Sequence, residues 1–401
     1  MSSSSVRSVY LDHAASTPMR ADALEAMTSA LAETANPSSL HGSGRRARRR
    51  LEEARESVAA SLGARPSEVL FTSGGTESDN IAVKGIYMAR RAADPRRRRV
   101  VISAVEHHAV IDAAQWLADE QGAELVILGV DETGFVHPES LRSELGAHAD
   151  EVALVSVMWA NNEVGTVQPI AELASVAAEF DIPFHTDAVQ AAGHVPVDFG
   201  SAGVSAMSVA AHKFGGPQGV GALLLGRGVA CTPLVHGGGH ERDTRSGTQN
   251  VAAATAMAVA LRGCLAELDT AAARTEALRE RLTERLLAVP GAVVNGPAGG
   301  PRLPGIVHVS FPGCEGDSLL MLLDARGIEC STGSACTAGV ASASHVLMAM
   351  GRSNAQARGS LRFSLSPATT AEEIDLVGDV IGEVVDRARN AGMATVAAGE
   401  R

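Results

Sequence analysis

The stretch Ala206-Met207-Ser208-Val209-Ala210-Ala211-His212-Lys213-Phe214-Gly215-Gly216-Pro217 decides how the rest of the chain is read. An apolar run of strand length ends in a His-Lys pair, and Gly-Gly-Pro then breaks regular structure. A lysine at the mouth of a buried strand is desolvated. Desolvation disfavours its ammonium form, lowers its pKa and makes its amine a nucleophile toward a carbonyl. The competing reading is a solvated loop lysine, and this stretch alone does not separate the two.

Outward from it, short β-type runs alternate with helical patterns from Glu68 onward. Strands are expected over 69–72, 100–103, 125–128, 153–157, 183–186, 205–209 and 221–225. Helices are expected near 77–92, 108–121, 138–146 and 170–180. Repeated strand–helix units imply an α/β fold with a mainly parallel seven-stranded sheet covered on both faces. Ligands of such sheets bind beyond the carboxyl ends of the strands. Upstream lie a short extended lead, Val9-Tyr10-Leu11-Asp12-His13, and helices near 21–33 and 44–62. Downstream, a helical stretch over 251–289 leads into a smaller mixed region. It has strands near 306–310 and 361–364 and helices near 316–326 and 370–389.

The chain has 401 residues, of which 45% are hydrophobic, enough for one large and one small domain. No apolar run is read as long enough to span a membrane, and the Ser-rich start has no export pattern, so no membrane role and a cytoplasmic location are expected. A net charge of −12 argues against direct nucleic-acid binding. The arginines at 45–50 run into glutamates on a helical pattern and read as a solvated face. Those at 96–99 read as a surface loop. Five cysteines, Cys231, Cys264, Cys314, Cys330 and Cys336, are widely spaced with no Cys-x-x-Cys, which speaks against a disulfide framework or a structural zinc site.

Seven polar clusters carry the possible chemistry, most of them just after an expected strand. In Ser73-Gly74-Gly75-Thr76-Glu77-Ser78-Asp79-Asn80 a strand enters glycines and a helix leaves. Glycines let the backbone approach an anion, and the helix N-terminus offers free N–H groups, so a phosphate fits; a Thr-capped helix is the plainer reading. Glu106-His107-His108 places a histidine where it can stack on a ring or move a proton, with neighbours pointing to opposite faces if they lie in a strand. Asn161-Asn162 is either turn chemistry or an amide that holds an oxygen. Asp187 ends a strand, where it either caps a helix or pairs with a pyridinium N–H, and Gln190 follows three residues later. His236 and His240 have metal-like spacing, but the three intervening glycines make a helix poor, and no metal is expected. Cys336 lies among small residues in Gly333-Ser334-Ala335-Cys336-Thr337, a setting for a nucleophile rather than a core thiol. Arg362, inside a strand, is held either by a substrate carboxylate or by a structural ion pair. An activated strand-end lysine, an anion loop and a strand-end aspartate are together what pyridoxal 5′-phosphate (PLP) needs.

In family order, these motifs resemble a group I, NifS-like cysteine desulfurase, of the class V aminotransferases of PLP fold type I. The resemblance runs from Tyr10-Leu11-Asp12 to about Leu365. It rests most on Ser73 to Asn80, His212-Lys213, Arg245-Ser246-Gly247-Thr248 and Gly333 to Thr337. It implies a large PLP domain over 16–264 and a small domain made of 1–15 and 265–401 that carries the Cys336 loop. Lys213 would carry the cofactor and Asp187 would pair with its ring nitrogen. Gln190 and Asn162 would contact its O3′ side or the substrate carboxylate, and His107 would stack on the ring. Gly75, Thr76, His212 and, from the second subunit of a homodimer, Thr248 would hold the phosphate. Arg362 would bind the carboxylate of L-cysteine, and Cys336 would take its sulfur as a persulfide. A sulfur-acceptor protein is the implied partner, serving iron–sulfur clusters or nucleic-acid thio-modification. One departure stands out: the family's Ser-x-His-Lys is Ala210-Ala211-His212-Lys213 here, without the phosphate-contacting hydroxyl. The alternatives are a selenocysteine lyase or other class V enzyme that does not use Cys336, and a degenerate fold serving as an assembly scaffold.

Overall fold

The computed structural model describes residues 8–33, 35–333 and 343–399, with side chains up to Asn390. In chain order the chain opens with β1 (Val9–Tyr10), α1 (Ala21–Leu31) and α2 (Gly42–Ser61). The alternating body follows: β2 (Val69–Thr72), α3 (Gly75–Ala93), β3 (Arg99–Ser103), α4 (His108–Gln121), β4 (Glu124–Leu128), α5 (Pro138–His148), β5 (Val152–Ser156) and α6 (Ile170–Glu179). It closes with β6 (Phe184–Asp187), α7 (Phe199–Ala202), β7 (Ala206–Ala210) and β8 (Gly221–Leu225). The long α8 (Val251–Leu287) leads to β9 (Val293–Asn295), β10 (Ile306–Ser310), α9 (Gly316–Asp324), β11 (Ile328–Glu329), α10 (His345–Ala349), α11 (Asn354–Arg358), β12 (Ser360–Ser364) and α12 (Ala371–Gly399).

The seven-stranded sheet has the order β2-β8-β7-β6-β5-β3-β4. Only β8 runs against its neighbours, pairing antiparallel with both β2 and β7. All seven expected strands are found within one residue at each end. Alternate residues of a strand serve opposite faces. Val101 therefore packs in the layer with Val155, Met207 and Val209, while Val100 and Ile102 pack with Ile81, Ile86 and Leu117 of α3 and α4. A second core gathers Val307, Val309, Leu361 and Phe363 of the antiparallel sheet β12-β10-β9 with Leu282, Ile374 and Val384. Each such fully buried side chain contributes roughly 1.5–3 kcal/mol.

Two expectations need correction, and one open placement is settled. His107 and His108 follow β3, which ends at Ser103; α4 starts at His108 as expected, with His107 as its N-cap. Its imidazole acceptor competes successfully for the orphan N–H of Ala109, at 3.1 Å. Arg99 is not in a surface loop but opens β3, fixed by Glu124, Glu144 and Glu151. Finally, α8 does contain an 18-residue window of mean hydropathy 1.5, long and apolar enough by composition to cross a membrane. Its alanines, including Ala253, Ala256 and Ala260, are buried in the core that α8 shares with α1 and α2. Small side chains let these helices approach, which is why the run reads as apolar without being a span.

The strand order puts Ser73–Gly75, Glu106–His107, Asn161–Asn162, Asp187 and Ala211–Lys213 at the carboxyl ends of β2, β3, β5, β6 and β7. That edge of the sheet is the floor of a cavity.

Candidate functional site

The cavity measures about 360 Å³ and is lined by Gly75, Thr76, Asp79, His107, Asn162, Asp187, Gln190, Ala210, His212, Lys213 and Arg362, among others. Nine of the eleven residues expected at the site are thus brought together. Thr248 is exposed and does not line this cavity; its expected role was at the neighbouring subunit's site. Cys336 lies outside the described residues.

Lys213 ends the single 3-10 turn that follows β7. Its Nζ donates to the main-chain oxygens of Ala14 at 2.6 Å and Ala15 at 3.0 Å. Burial, and then the positive charge of Arg362, bring its amine down to about 8, against the pull of Asp187 and Asp12. About a tenth of the amine is therefore neutral at pH 7, far more than for an exposed lysine, as a carbonyl nucleophile requires.

Asp187 is buried, and one oxygen, Oδ1, accepts the Val189 N–H at 2.8 Å. Burial raises its pKa, while His107 and Lys213 pull it down. His107 has its Nδ1 engaged by the Ala109 N–H, so its remaining nitrogen carries the proton. Burial lowers the pKa of this imidazole. Gln190 donates through Nε2 to Ala14 O at 2.8 Å, the same oxygen that Lys213 uses.

The anion end is built around α3. Gly74 is its N-cap, with no side-chain cap, and at φ 157° it faces open space. At Gly75 an added Cβ would stand 2.7 Å from Val189 Cγ2, so glycine is what lets the helix start reach the strand ends. Glu77, in the first turn, accepts from Arg245 Nε at 2.8 Å, which ties the loop carrying Thr248 to this helix. The Ala210 Cβ would be 3.6 Å from that added Gly75 Cβ, so the missing family hydroxyl is missing at the cavity wall itself. Ser208 does not replace it: its Oγ is buried and bonded to His185 Nε2 at 3.0 Å.

Arg362 is placed both in the cavity wall and in an ion pair. It lines the cavity, and it is an ion-pair partner, with Nη2 2.7 Å from Asp12 Oδ1 and Nη1 3.0 Å from Asn162 O. Its Nε is buried without a partner. Sequence reasoning quoted Asp12 and Asp79 without giving either a function, and it missed the Ala14 and Ala15 oxygens. A main-chain acceptor leaves no residue-type signal.

PLP fits this donor set. A helix N-terminus and glycines face one end, a buried carboxylate lies at the floor, a lysine amine of lowered pKa stands between them, and unpartnered Asp79 Oδ1 and Arg362 Nε remain. The model of the class-V aminotransferase family matches residues 9–377, and the chain belongs to that family. Its members are PLP-dependent enzymes, and PLP is its cofactor. The chain is 58% identical over 390 residues to the IscS-like cysteine desulfurase of Mycobacterium tuberculosis, covering 97% of this chain and 99% of that protein. Among solved structures it resembles a NifS-like protein at 37% identity and TM-score 0.87, covering 94% and 99% of the two chains. It also resembles SspA in complex with cysteine, at 32% identity and TM-score 0.77, covering 90% and 99%.

Proposed function

We propose that the cavity is the desulfuration site of a cysteine desulfurase, which converts L-cysteine to L-alanine and leaves the sulfur on Cys336 as a persulfide. The observation that carries this reading is the convergence of Lys213, Asp187, His107 and Arg362 on one cavity at the carboxyl edge of the sheet. The names of the relatives favour it over an enzyme that leaves Cys336 idle.

Bound PLP supplies an electron sink for charge that develops at the substrate Cα. In this reading Lys213 would hold it covalently, Asp187 would face its ring nitrogen and His107 would cover its ring. Asn162 and Gln190 would contact its O3′ side or the substrate carboxylate, and Gly75, Thr76, His212 and Thr248 of the partner subunit would hold its phosphate. Arg362 orients the substrate carboxylate through the donors that Asp12 and Asn162 leave available. Freed Lys213 Nζ takes the Cα proton, a task suited to an amine whose pKa is about 8. The Cys336 thiolate attacks the substrate Sγ: the S–S bond forms, the Cβ–Sγ bond breaks, and protonation of the three-carbon fragment completes alanine.

The domain division at 16–264, with 1–15 and 265–401, the homodimer and a reducing compartment belong to the same proposal. Transfer onward goes to a sulfur-acceptor protein, for iron–sulfur cluster assembly or for nucleic-acid thio-modification. The test is stoichiometric. Purified PLP-loaded protein should form alanine and Cys336 persulfide in equal amounts in a single turnover, and Cys336→Ser should bind cysteine and form no persulfide. Full desulfurase activity in Cys336→Ser would refute the assignment.

A further inference from the structure

Among the buried carboxyl groups at the carboxyl edge of the sheet, three act on one another: Asp79 in the second turn of α3, Glu106 after β3 and Asp187 at the end of β6. Among the described residues, the only ion-pair contact any of them makes is between Asp79 Oδ1 and His185 Nε2, at 3.6 Å. His185 is itself fully buried, and burial brings its pKa down to about 3, so it is neutral. Three anions with no Lys or Arg in ion-pair contact are unfavourable in such a site, because burying an unpaired charge costs several kcal/mol.

Their surroundings decide which one keeps the charge. Asp187 has the Val189 N–H and faces His107 and Lys213 across the cavity. Glu106 takes two donors, Ser103 Oγ and the Met158 N–H, both on Oε1, leaves Oε2 unpartnered, and is pushed up by burial to about 8. Asp79 has no backbone donor and no cation, and its Oδ1 is unpartnered. Burial, then the charge of Asp187, raise its pKa well above the usual range, with Glu106 adding and only Ser208 opposing. Behind Asp79 runs a chain of fully buried groups. Ser208 Oγ lies 3.0 Å from His185 Nε2, and His185 Nδ1 lies 2.8 Å from Ser156 Oγ. An uncharged Asp79 leaves no anion beside this neutral chain, in which the Ser208 O–H points to His185 Nε2 and the His185 Nδ1–H to Ser156.

We propose that Asp79 is a positioning residue acting through Asp187: an uncharged acid on the cavity wall that leaves Asp187 the single anion beneath the cofactor ring and keeps its carboxylate turned to the ring nitrogen. This rests on the reading that Lys213 and Asp187 hold PLP. A charged Asp79 would drive a proton onto Asp187, and a protonated Asp187 cannot hold the ring nitrogen as a cation. A small apolar residue at 79 would leave a gap beside Asp187 and let it turn away.

The holoenzyme, its Asp79→Asn variant and its Asp79→Ala variant, each loaded with PLP labelled with ¹⁵N in the ring, test this. The ring-nitrogen NMR signal, the pH midpoint of the visible band and the rate of PLP loss to a carbonyl scavenger are measured. Asparagine keeps shape and neutrality, so Asp79→Asn should keep the protonated-ring signal and hold the midpoint within about 0.3 unit. Asp79→Ala should shift the signal toward the unprotonated ring and lose PLP roughly tenfold faster, the scale on which an outer partner of a binding side chain acts. If the alanine variant does not fold, Asp79→Ser takes its place with the same expectation. A midpoint moved by about one unit or more in Asp79→Asn would show that Asp79 is charged and overturn the proposal; so would wild-type signal and retention in Asp79→Ala. Wild-type protein in which borohydride fixes no PLP on Lys213 would overturn the underlying site reading instead.

Discussion

Asp12 Oδ1 stands 2.7 Å from Arg362 Nη2, so the guanidinium in the cavity wall already has an anionic partner from the chain's N-terminal segment. Arg362 is nearly buried, and an uncompensated guanidinium there would be costly. The pair lets Arg362 wait for substrate without that cost, at the expense of some affinity for the incoming carboxylate. Asp12→Asn keeps the hydrogen-bonding shape and removes the charge. It should lower KM for cysteine by about two- to fivefold, the range of a partly screened ion pair, and strengthen product inhibition by alanine. A raised KM in steady-state assays would contradict this.

The Lys213 amine near 8 makes a pH prediction. The neutral amine is the reactive form, so the rate at which cofactor-free protein captures PLP should rise about tenfold per unit below that pH and level off above it. Arg362 is among the causes that depress this amine, so Arg362→Ala should move the bend to higher pH; Asp12 opposes it, so Asp12→Asn should move the bend lower. Borohydride trapping at a series of pH values measures both.

Gly75→Ala places a methyl group 2.7 Å from Val189 Cγ2. The branched Val189 has little freedom to retreat, so overpacking should cost about 1–3 kcal/mol. The start of α3 would move away from the strand ends, and both the melting temperature of the holoenzyme and its PLP affinity should fall. Calorimetry and equilibrium dialysis read the two effects.

Ala210→Ser restores the hydroxyl that the family pattern supplies. Ser208 is committed to His185, so the place is not already taken from within the strand. A hydrogen bond to a charged phosphate is worth about 1.5–3 kcal/mol at best. PLP release into a carbonyl scavenger should therefore slow at least severalfold, with little change in alanine formation at saturating cofactor, because the phosphate lies away from the reacting carbon. Release that is unchanged or faster would show that Ala210 is not a deficit.

Periodicity located the sheet well because a strand buried on both faces writes a continuous apolar run, as β5 and β7 do. Short elements such as β11 and α10 left no such trace. They are held by partners distant in sequence, Ile328 by Val9 for example, and two residues carry no period. The cavity residues were legible where chemistry demands a residue type: Lys213, Asp187, Arg362 and the glycines. The helix that starts at His108 was legible, but its cap at His107 was not, because a histidine that caps a helix as asparagine does is a local competition that apolar patterning does not record. Asp79 stayed silent because, inside a helix, its burial at the cavity wall is a tertiary fact.

The oxygens of Ala14 and Ala15 that hold Lys213 belong to the main chain, and Gln190 leans on one of them. No side-chain substitution removes a carbonyl. A mutational scan of residues 14 and 15 would report how their side chains pack and not what their carbonyls hold. Their contribution becomes visible only when the backbone itself is edited, by replacing the amide after Ala14 or Ala15 with an ester that weakens the carbonyl as an acceptor.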